Sequence, residues 1–402
     1  IMIGFIDQLC ERNNSKIVLL VLDGLGGIQN EDGRSELEYA KTPNLDRLAV
    51  DSICGLMDPI MKGITPGSGP SHLALFGYDP IRYNIGRGAL SATGINFPLK
   101  HGDLCVRVNF ATVDKNGNIV DRRAGRISTE ENKRICKKIL DNISLDEFKV
   151  EFYLETESEH RAALILRGED LSDDVNDNDP QKTGVPPLEF KGSKEAELTI
   201  KIVDKIISEC KRILHDEPQA NMMLLRGFAK YHKLPSFEER FLLKSAAIAS
   251  YPMYKGLSRL VGMHVFEGCR TNEDEINLLE KEFSNFDFFY VHIKKTDSYG
   301  EDGNFANKVK VIEEVDSLLP RIRKLNPDVL VITADHSTPT PLKSHSWHAV
   351  PVCLYSQYAR KDRCSCFSEV EFAEKGGLGR FPSKELMALM LAHALRLKKF
   401  GA

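Results

Sequence analysis

The chain has 402 residues, of which 42% are hydrophobic and 28% charged, a profile typical of a soluble globular protein that is too long for one ordinary core. Its formal net charge of -4 gives no overall positive field, so we expect no nucleic-acid partner, and an anionic ligand would need local basic groups or metal ions. No apolar run is long enough to cross a bilayer, and nine scattered cysteines without paired C-x-x-C spacing predict a reducing, cytoplasmic compartment with no membrane partner.

Three apolar runs predict a parallel sheet. The first, residues 16–22, is a continuous β-branched run that is typical of a strand buried on both faces. Residues 286–293 and 329–333 form two more such runs, and the spacing of apolar residues at 305–325 predicts a helix between them. This strand–helix–strand order implies a right-handed crossover, so the first and last parts of the chain are predicted to form one α/β domain.

The middle of the chain has a different pattern and predicts an inserted domain. A long amphipathic helix is expected at 194–215, and the acidic stretch 169–179 is expected to be a solvated loop. Half-exposed strands are predicted at 104–113, 150–153 and 161–166. We therefore assign residues 1–100 and 285–402 to the parallel-sheet core domain and residues 101–284 to an inserted α+β domain.

Two polar segments near the start of the chain are candidates for chemistry. Asp23 comes directly after the first predicted strand, at the end of the strand where open α/β sheets bind ligands. Ser68 lies in the run T-P-G-S-G-P-S-H, where small neighbours let its hydroxyl approach a ligand closely. Taken alone, each residue has an ordinary alternative, since Asp caps turns and Ser caps helices.

Two further segments follow the later strands. Asp297 and Glu301 are four residues apart, so on one helical turn they would share a face and could hold one cation, although both could equally be exposed loop acids. Asp335 and His336 follow the strand at 329–333, and His345 comes a short loop later. Adjacent Asp and His at a strand end are hard to explain by packing, and here the pattern favours a metal site.

Taken in order, these segments resemble one known family. VLDG, G-S-G-P-S-H-L, T-D-x-x-G-x-D-G, T-A-D-H-S and H-S-x-x-x-V-P occur in sequence across most of the chain. This ordered set is similar to the archaeal-type cofactor-independent phosphoglycerate mutases of the alkaline phosphatase superfamily. The resemblance implies an alkaline-phosphatase-like parallel-sheet core with an inserted α+β substrate domain. It also implies a small phosphorylated substrate, while homo-oligomerisation stays open.

The resemblance implies a reaction and a set of site residues. The implied reaction interconverts 3-phosphoglycerate and 2-phosphoglycerate through a phosphoserine intermediate in glycolysis and gluconeogenesis, with two divalent metal ions and no 2,3-bisphosphoglycerate. Ser68 matches the phosphorylated nucleophile. The implied ligands of one ion are Asp23, Ser68, Asp335 and His336, and those of the other are Asp297, Glu301 and His345. Two dications would offset phosphate charge while the serine attacks.

The glycerate part of the substrate would need basic groups in the inserted domain. Arginine can hold a carboxylate with two parallel hydrogen bonds. The candidates are Arg123, Arg126, His160, Arg161, Arg226 and Lys255. Without a firm hold on glycerate, water would complete the reaction, so a phosphomonoester hydrolase of the same superfamily is the alternative function. A catalytically impaired paralogue that acts by binding is a third.

The chain departs from the family pattern at a few positions. Glu301 stands where the family usually has His, which tilts the site toward manganese, with magnesium, cobalt or zinc as alternatives. Gln181 stands where His is expected, and Phe228-Ala229 is also unusual. One hypothesis is that His348 supplies the nitrogen that position 301 lacks; the simpler alternative is that Glu301 itself binds the metal.

Overall fold

The computed structural model describes residues 5–83 and 85–401. The chain divides into two compact units. The first unit comprises Ile1–Asn84 and Leu234–Ala402, and the second comprises Ile85–Lys233. These bounds differ from the predicted inserted domain, 101–284, at both ends.

The strands and helices account for most of the described chain. The strands are β1 (Ile17–Leu22), β2 (Ile53–Asp58), β3 (Leu104–Val113), β4 (Ile119–Asp121), β5 (Glu151–Ser158), β6 (Arg161–Arg167), β7 (Met222–Lys230), β8 (Ser245–Ala249), β9 (His264–Val265), β10 (Phe288–Ile293), β11 (Val329–Thr333), β12 (Val350–Ser356) and β13 (Gly379–Pro382). The helices are α1 (Glu36–Tyr39), α2 (Pro43–Val50), α3 (Ser68–Leu75), α4 (Arg87–Gly94), α5 (Thr129–Leu140), α6 (Glu197–Ile213), α7 (Phe237–Phe241), α8 (Pro252–Leu260), α9 (Asn272–Glu282), α10 (Lys295–Glu301), α11 (Phe305–Lys324), α12 (Glu369–Lys375) and α13 (Leu386–His393). Among the described residues, each helix is too short or too polar to cross a lipid bilayer.

The first unit is built on an eight-stranded sheet with the order β13-β2-β12-β11-β1-β10-β8-β9. Its centre is parallel, because β1 pairs in parallel with both β10 and β11, and β10 pairs in parallel with β8. Every residue of β1, β10 and β11 is buried, as expected for apolar strands covered on both faces. The predicted α/β fold with a parallel-sheet core is therefore confirmed.

The register of the central strands places their carboxyl ends together. Leu22 at the end of β1 is paired with Ile293 at the end of β10, and Val21 is paired with Thr333 at the end of β11. The residues that follow these strands therefore leave the sheet at one edge. That edge is where open α/β sheets place their ligands.

The sequence prediction placed both ends of the second unit wrongly, and each error has a physical reason. β8 lies inside the predicted insertion, yet it pairs with β10 and extends the large sheet. α4 lies outside the predicted insertion, yet it packs on β3 of the smaller sheet. A side-chain carbon at Gly88 in α4 would lie only 2.1 Å from the carbonyl oxygen of Cys105, so this close approach requires glycine.

The second unit is an antiparallel sheet covered on both faces. β3 pairs with β6 and β7, β5 adds beside β6, and β4 pairs with the far end of β3. Alternate residues of β3 point to different layers, as the strand period requires. Val106 and Val108 join the core that includes Ile135 of α5 and Ile202 of α6. Cys105 instead joins the small core that contains the alanines of α4.

Candidate active site

Three loops of the first unit place buried polar residues at the carboxyl edge of the sheet. Asp23 follows β1, while Asp335 and His336 follow β11, and all three are fully buried. Asp297 lies in the first turn of α10, directly after β10, and is 2% exposed. Polar residues that follow three neighbouring parallel strands meet because the strands end at the same level.

Four candidate ligand atoms of the first unit converge at His336. Its Nε2 lies 3.3 Å from Asp23 Oδ1, 3.2 Å from Asp335 Oδ2 and 3.4 Å from Ser68 Oγ. Ser68 is the first residue of α3, and Gly67 before it has an extended backbone and no side chain to cover the hydroxyl. The positive end of α3 therefore also faces this point, which favours an anion such as phosphate.

The buried oxygens in this group fit a metal ion. Among the described residues, neither Asp23 Oδ1 nor Asp335 Oδ2 has a hydrogen-bond partner. An ionised carboxylate oxygen buried without a donor is costly unless a cation is near it. Carboxylate oxygens with one imidazole nitrogen are a donor set that suits manganese, magnesium and zinc. The side chains of Asp23, Asp335 and His336 therefore fit a divalent ion.

A second group of candidate ligands shares His336. Ligand atoms of Asp297, His336 and His345 all lie within 4.8 Å of one another. The rings of His336 and His345 are stacked with centroids 3.6 Å apart, and His345 Nε2 is 3.7 Å from Asp297 Oδ1. Glu301 lies at the edge of this group, since its Oε1 is 4.0 Å from His345 Nε2 and its side chain is 56% exposed.

Thr338 fixes which nitrogen of His336 carries a proton. The Thr338 hydroxyl donates to Asp297 Oδ1 at 2.7 Å, and its oxygen lies 3.0 Å from His336 Nδ1. A hydroxyl has one proton and an ionised carboxylate can only accept, so Nδ1–H of His336 must donate to the Thr338 oxygen. When His336 is neutral, its lone pair is therefore on Nε2, which faces the Asp23 and Asp335 oxygens, as metal binding requires.

The charges of the site shift the pKa values of its residues. Burial opposes ionisation of Asp23, but the imidazoles of His292 and His336 and the ammonium group of Lys294 hold its pKa well below the usual value. Burial alone would lower the pKa of His336, yet the charges of Asp335 and Asp23 raise it to about 9. The centre is therefore a concentrated negative site that attracts a proton when no metal offsets it.

Several residues that support this centre were not singled out from the sequence. Lys294 Nζ lies 3.0 Å from Asp23 Oδ2 and 2.5 Å from Asp297 Oδ2, bridging the two groups. Tyr254 donates to Asp23 Oδ2 at 2.5 Å, and His72 Nδ1 donates to the Ser68 carbonyl at 2.9 Å. Lys294 could have been found because it follows β10 directly; Tyr254 gives no such signal because it lies far away in the sequence, on α8.

His348 belongs to neither candidate ligand group among the described residues. Its Nδ1 is 3.0 Å from Ser346 Oγ, and its ring stacks on Trp347 with centroids 5.0 Å apart. The structure therefore gives no support to the idea that His348 replaces a ligand at position 301.

A separate group, Cys54, Asp362 and Cys364, also has the composition of a metal site. The Asp362 carboxylate already accepts backbone N–H groups from Cys54, Cys364 and Gly377 at 2.6, 3.1 and 2.9 Å. Burial raises the pKa of Cys364 to about 12, so its thiol stays protonated and unreactive. This group is explained by its role in organising the loop before α12.

The second unit contains a strongly basic cavity of about 260 Å³. It is lined by Arg107, Asn109, Arg122, Arg123, His160, Arg161, Gln181 and Arg226. Five arginines around one small cavity are suited to a carboxylate or phosphate. Sequence reasoning selected four of these residues but missed Arg107 and Arg122, and it flagged Gln181 only as a departure from the family.

Contacts inside the cavity orient part of this basic surface. Arg122 binds the buried Asp179 through two hydrogen bonds of 2.9 and 2.7 Å, and Arg226 Nη1 lies 3.4 Å from the same carboxylate. Asp179 therefore is not part of a merely solvated acidic loop. Burial, with the charge of Arg161, lowers the pKa of His160 to about 4, so His160 is neutral at neutral pH.

Two predicted substrate residues lie elsewhere. Arg126 is exposed and does not line the cavity. Lys255 belongs to α8 of the first unit, not to an inserted domain, and its ammonium binds Glu267 at 2.6 Å. The placement of Lys255 in the inserted domain was wrong because α8 follows β8, which pairs with β10 of the large sheet; its role in substrate binding stays a prediction.

Known proteins resemble this chain in sequence and in fold. Residues 49–220 match the family model described as 2,3-bisphosphoglycerate-independent phosphoglycerate mutase. Proteins named as probable members of that family are 52% identical in Thermus thermophilus over 402 residues, covering 98% of each chain, and 52% identical in Aquifex aeolicus over 407 residues, covering 99% of each. A solved cofactor-independent phosphoglycerate mutase from Thermoplasma acidophilum is 32% identical, with a TM-score of 0.73 over 94% of this chain and 100% of that one. A solved protein from Pyrococcus horikoshii is 28% identical, with a TM-score of 0.82 over 97% of this chain and 100% of that one.

Proposed function

Because the chain belongs to the 2,3-bisphosphoglycerate-independent phosphoglycerate mutase family, we propose that Ser68 carries the phosphoryl group while 3-phosphoglycerate and 2-phosphoglycerate are interconverted. The enzyme is an isomerase that acts on a small phosphorylated substrate. The observation that carries the proposal is the convergence of Ser68 Oγ, Asp23 Oδ1 and Asp335 Oδ2 on His336 Nε2. Both carboxylate oxygens are buried and have no hydrogen-bond partner in the part of the chain that the structure describes.

Two divalent ions complete the proposed centre. Asp23, Ser68, Asp335 and His336 would hold one ion, and Asp297, Glu301 and His345 would hold the other. When bound, such ions favour the alkoxide form of a serine and offset the negative charge of a phosphoryl group. His336 lies in both groups of candidate ligands, which supports a compact pair of sites. We favour manganese, because carboxylate oxygens outnumber nitrogens among the candidate ligands.

In the proposed reaction, the phosphoryl group moves to Ser68 and then back to the substrate in two steps. Ser68 Oγ forms a bond to phosphorus as the bond from phosphorus to the 3-oxygen breaks, and the glycerate oxygen takes up a proton in place of the one that serine gives up. The 2-oxygen of glycerate then forms a bond to phosphorus as the bond from phosphorus to Ser68 Oγ breaks. The 2-hydroxyl gives up its proton and Ser68 Oγ takes one up, which restores the free serine and yields 2-phosphoglycerate. Atoms and charges balance without 2,3-bisphosphoglycerate, so no such cofactor is needed.

The basic cavity of the second unit is proposed to bind the carboxylate of glycerate. Arg123 and Arg161 are the principal candidates, because they line the cavity and because, among the described residues, no hydrogen bond joins either guanidinium group to a carboxylate. Arg122 and Arg226 are held by Asp179 and would present a fixed arrangement of N–H groups. Retaining glycerate between the two steps is what separates a mutase from a phosphatase.

The cellular setting follows from the same proposal. The reaction belongs to glycolysis and gluconeogenesis, and we place the enzyme in the cytoplasm. The nine cysteines support this placement, because all are free thiols in the structure and most are buried.

The test is a mutase assay without 2,3-bisphosphoglycerate, run beside a measurement of released phosphate. The proposal expects isomerisation with little phosphate release, loss of activity with a chelator, and recovery with manganese. Phosphate release without isomerisation would instead identify a phosphatase. Full activity after exhaustive chelation would contradict the two-metal centre.

A further inference from the structure

A buried lysine lies behind the candidate metal centre and takes no part in the proposed chemistry. Lys308 is on α11, and its side chain is fully buried. Its ammonium donates to the carbonyl oxygens of Gly24 and Thr338 at 2.9 Å each and of Gly26 at 3.3 Å. An ammonium group has three protons, so these three carbonyls satisfy it completely.

The three carbonyls belong to the two loops that carry the candidate ligands. Gly24 and Gly26 follow Asp23 in the loop after β1, and Thr338 follows His336 in the loop after β11. Direct backbone contacts between these loops are few: the Thr338 N–H reaches the Gly24 and Gly26 carbonyls at 3.2 and 3.1 Å. The Gly24 N–H also donates to Asp335 Oδ1 at 3.2 Å, and Lys308 adds a buried side-chain bridge that joins the three carbonyls of the two loops.

The sequence of the first loop makes room for this arrangement. A side-chain carbon at Gly26 would lie 1.9 Å from Ser337 Oγ, and one at Gly24 would lie 2.5 Å from Thr338 Oγ1. Only glycine allows this close approach of backbone to neighbouring side chains. The glycines after Asp23 are thus explained by the approach of the two loops.

The carboxylates of Glu36 and Glu369 offset the charge of Lys308. Glu36 is fully buried, its Oε1 lies 3.7 Å from Lys308 Nζ, and the same oxygen accepts the Thr340 N–H at 2.8 Å. Glu369 accepts the Gly27 N–H at 2.9 Å. Glu36 thus binds the loop after β11, and Glu369 binds the loop after β1. A buried ammonium group without these carboxylates would be costly in free energy.

We propose that Lys308 is a positioning residue that sets the separation of the loop carrying Asp23 from the loop carrying His336, and so sets the affinity for the metal ions. The proposal rests on the proposed function only in taking these two loops as metal-binding. Lys308 does not touch the reacting atoms. Its loss would let the loops separate, so each ion would have to draw its ligands together at the expense of binding energy.

The test compares three variants by calorimetric titration of the metal-free protein with Mn²⁺ below its unfolding temperature. Lys308→Met should weaken Mn²⁺ binding by about tenfold or more, as losing support for a ligand generally does. Lys310→Met is the matched control, because Lys310 is exposed on the same helix, and it should bind Mn²⁺ like the wild type.

A double variant separates positioning from simple destabilisation. Lys308→Met leaves Glu36 without its cation and is expected to lower the melting temperature. Adding Glu36→Gln removes that unpaired charge and should recover much of the melting temperature, whereas Mn²⁺ binding should stay weak because no ammonium group then joins the carbonyls of the two loops. The Mn²⁺ concentration for half-maximal activity should rise while kcat at saturating Mn²⁺ changes little.

A folded double variant that binds Mn²⁺ within about twofold of the wild type would overturn the positioning role. Asp335→Asn in the same titration distinguishes a failure of the proposed metal centre from a failure of the inference about Lys308. If Asp335→Asn binds Mn²⁺ normally, the metal centre itself is wrong; if only the Lys308 variants bind normally, the centre stands and the inference about Lys308 fails.

Discussion

The two sites of this enzyme have opposite electrostatics. In the first unit, Asp23, Asp297 and Asp335 are buried around two histidines, and the excess of negative charge raises the pKa of His336 to about 9. In the second unit, five arginines surround one cavity, and the pKa of its buried His160 falls to about 4. The pKa values of His336 and His160 thus shift in opposite directions.

In the proposed function, the two units have different roles in acting on a phosphorylated acid. The acidic centre needs cations before it can accept a phosphoryl group, whereas the basic cavity binds an anion with the charges that the chain already has. We therefore propose that the first unit carries out phosphoryl transfer and that the second unit retains glycerate. Variants in one unit should change rate or metal affinity, and variants in the other should change substrate affinity.

Replacement of the nucleophile should give the largest effect. Ser68→Ala is expected to lower kcat by at least about 10³-fold, because it removes the atom that takes the phosphoryl group. Binding of 3-phosphoglycerate, measured by calorimetry, should change much less, since the basic cavity is intact. Thr65→Ala is the control, as it removes an exposed hydroxyl from the same loop. A Ser68→Ala enzyme with near wild-type kcat would remove the serine from the mechanism.

Loss of a metal ligand should give the second-largest effect. Asp335→Asn is expected to weaken Mn²⁺ binding by about 100-fold, because the site loses one negative charge and keeps its other groups. Activity should recover in part at high Mn²⁺. Asp302→Asn changes an exposed carboxylate nearby and should leave the titration unchanged. Normal metal content in purified Asp335→Asn protein would show that this aspartate is structural.

Replacement of an arginine should give a smaller effect, and two neighbouring arginines allow a direct test of the basic cavity. Arg123 lines the cavity and Arg126 does not, although both are exposed and lie three residues apart. Arg123→Ala should raise KM for 3-phosphoglycerate about 10-fold or more, as expected for one lost charge-assisted hydrogen bond. It should also increase phosphate release relative to isomerisation, while Mn²⁺ affinity stays constant. Equal effects of Arg126→Ala would mean that the cavity is not the substrate site.

The smallest expected effect is on the pH dependence of folding stability, through His160 in the basic cavity. Because the pKa of His160 is lowered to about 4 in the folded state, the unfolded chain binds a proton more readily between about pH 4 and 6.5. Folding stability should therefore fall as pH is lowered through this range, and less so in His160→Gln. His101→Gln, an exposed control in the same unit, should keep the wild-type slope. An NMR titration of the His160 ring with a midpoint near 6.5 would refute the shift.

Much of the fold could be predicted from the sequence because the strongest signals are local. The run at 329–333 coincides with β11, and the helical spacing at 305–325 agrees with α11 to within one residue. β8 shows where this reasoning stops. An apolar run of five residues identifies a strand, but its partner β10 lies about forty residues away, and the pairing depends on long-range packing.

The same limit applies to the candidate site. Asp23, Asp297, Asp335 and His336 each follow a strand of the sheet directly, so position along the chain predicted where they would meet. Tyr254 reaches Asp23 from α8, more than two hundred residues later, and no local pattern reveals it. Arg122 was missed because Arg123 beside it is equally basic, and only the contact with Asp179 distinguishes Arg122.

The central claim is that Ser68 receives the phosphoryl group, and one measurement tests it directly. The wild-type enzyme is mixed with Mn²⁺ and 3-phosphoglycerate, quenched in acid within a single turnover, digested and examined by mass spectrometry. We predict phosphate on the peptide that contains Ser68, and none when Mn²⁺ is removed by a chelator. Phosphate on a different residue, such as His72 or His345, during normal turnover would contradict the account.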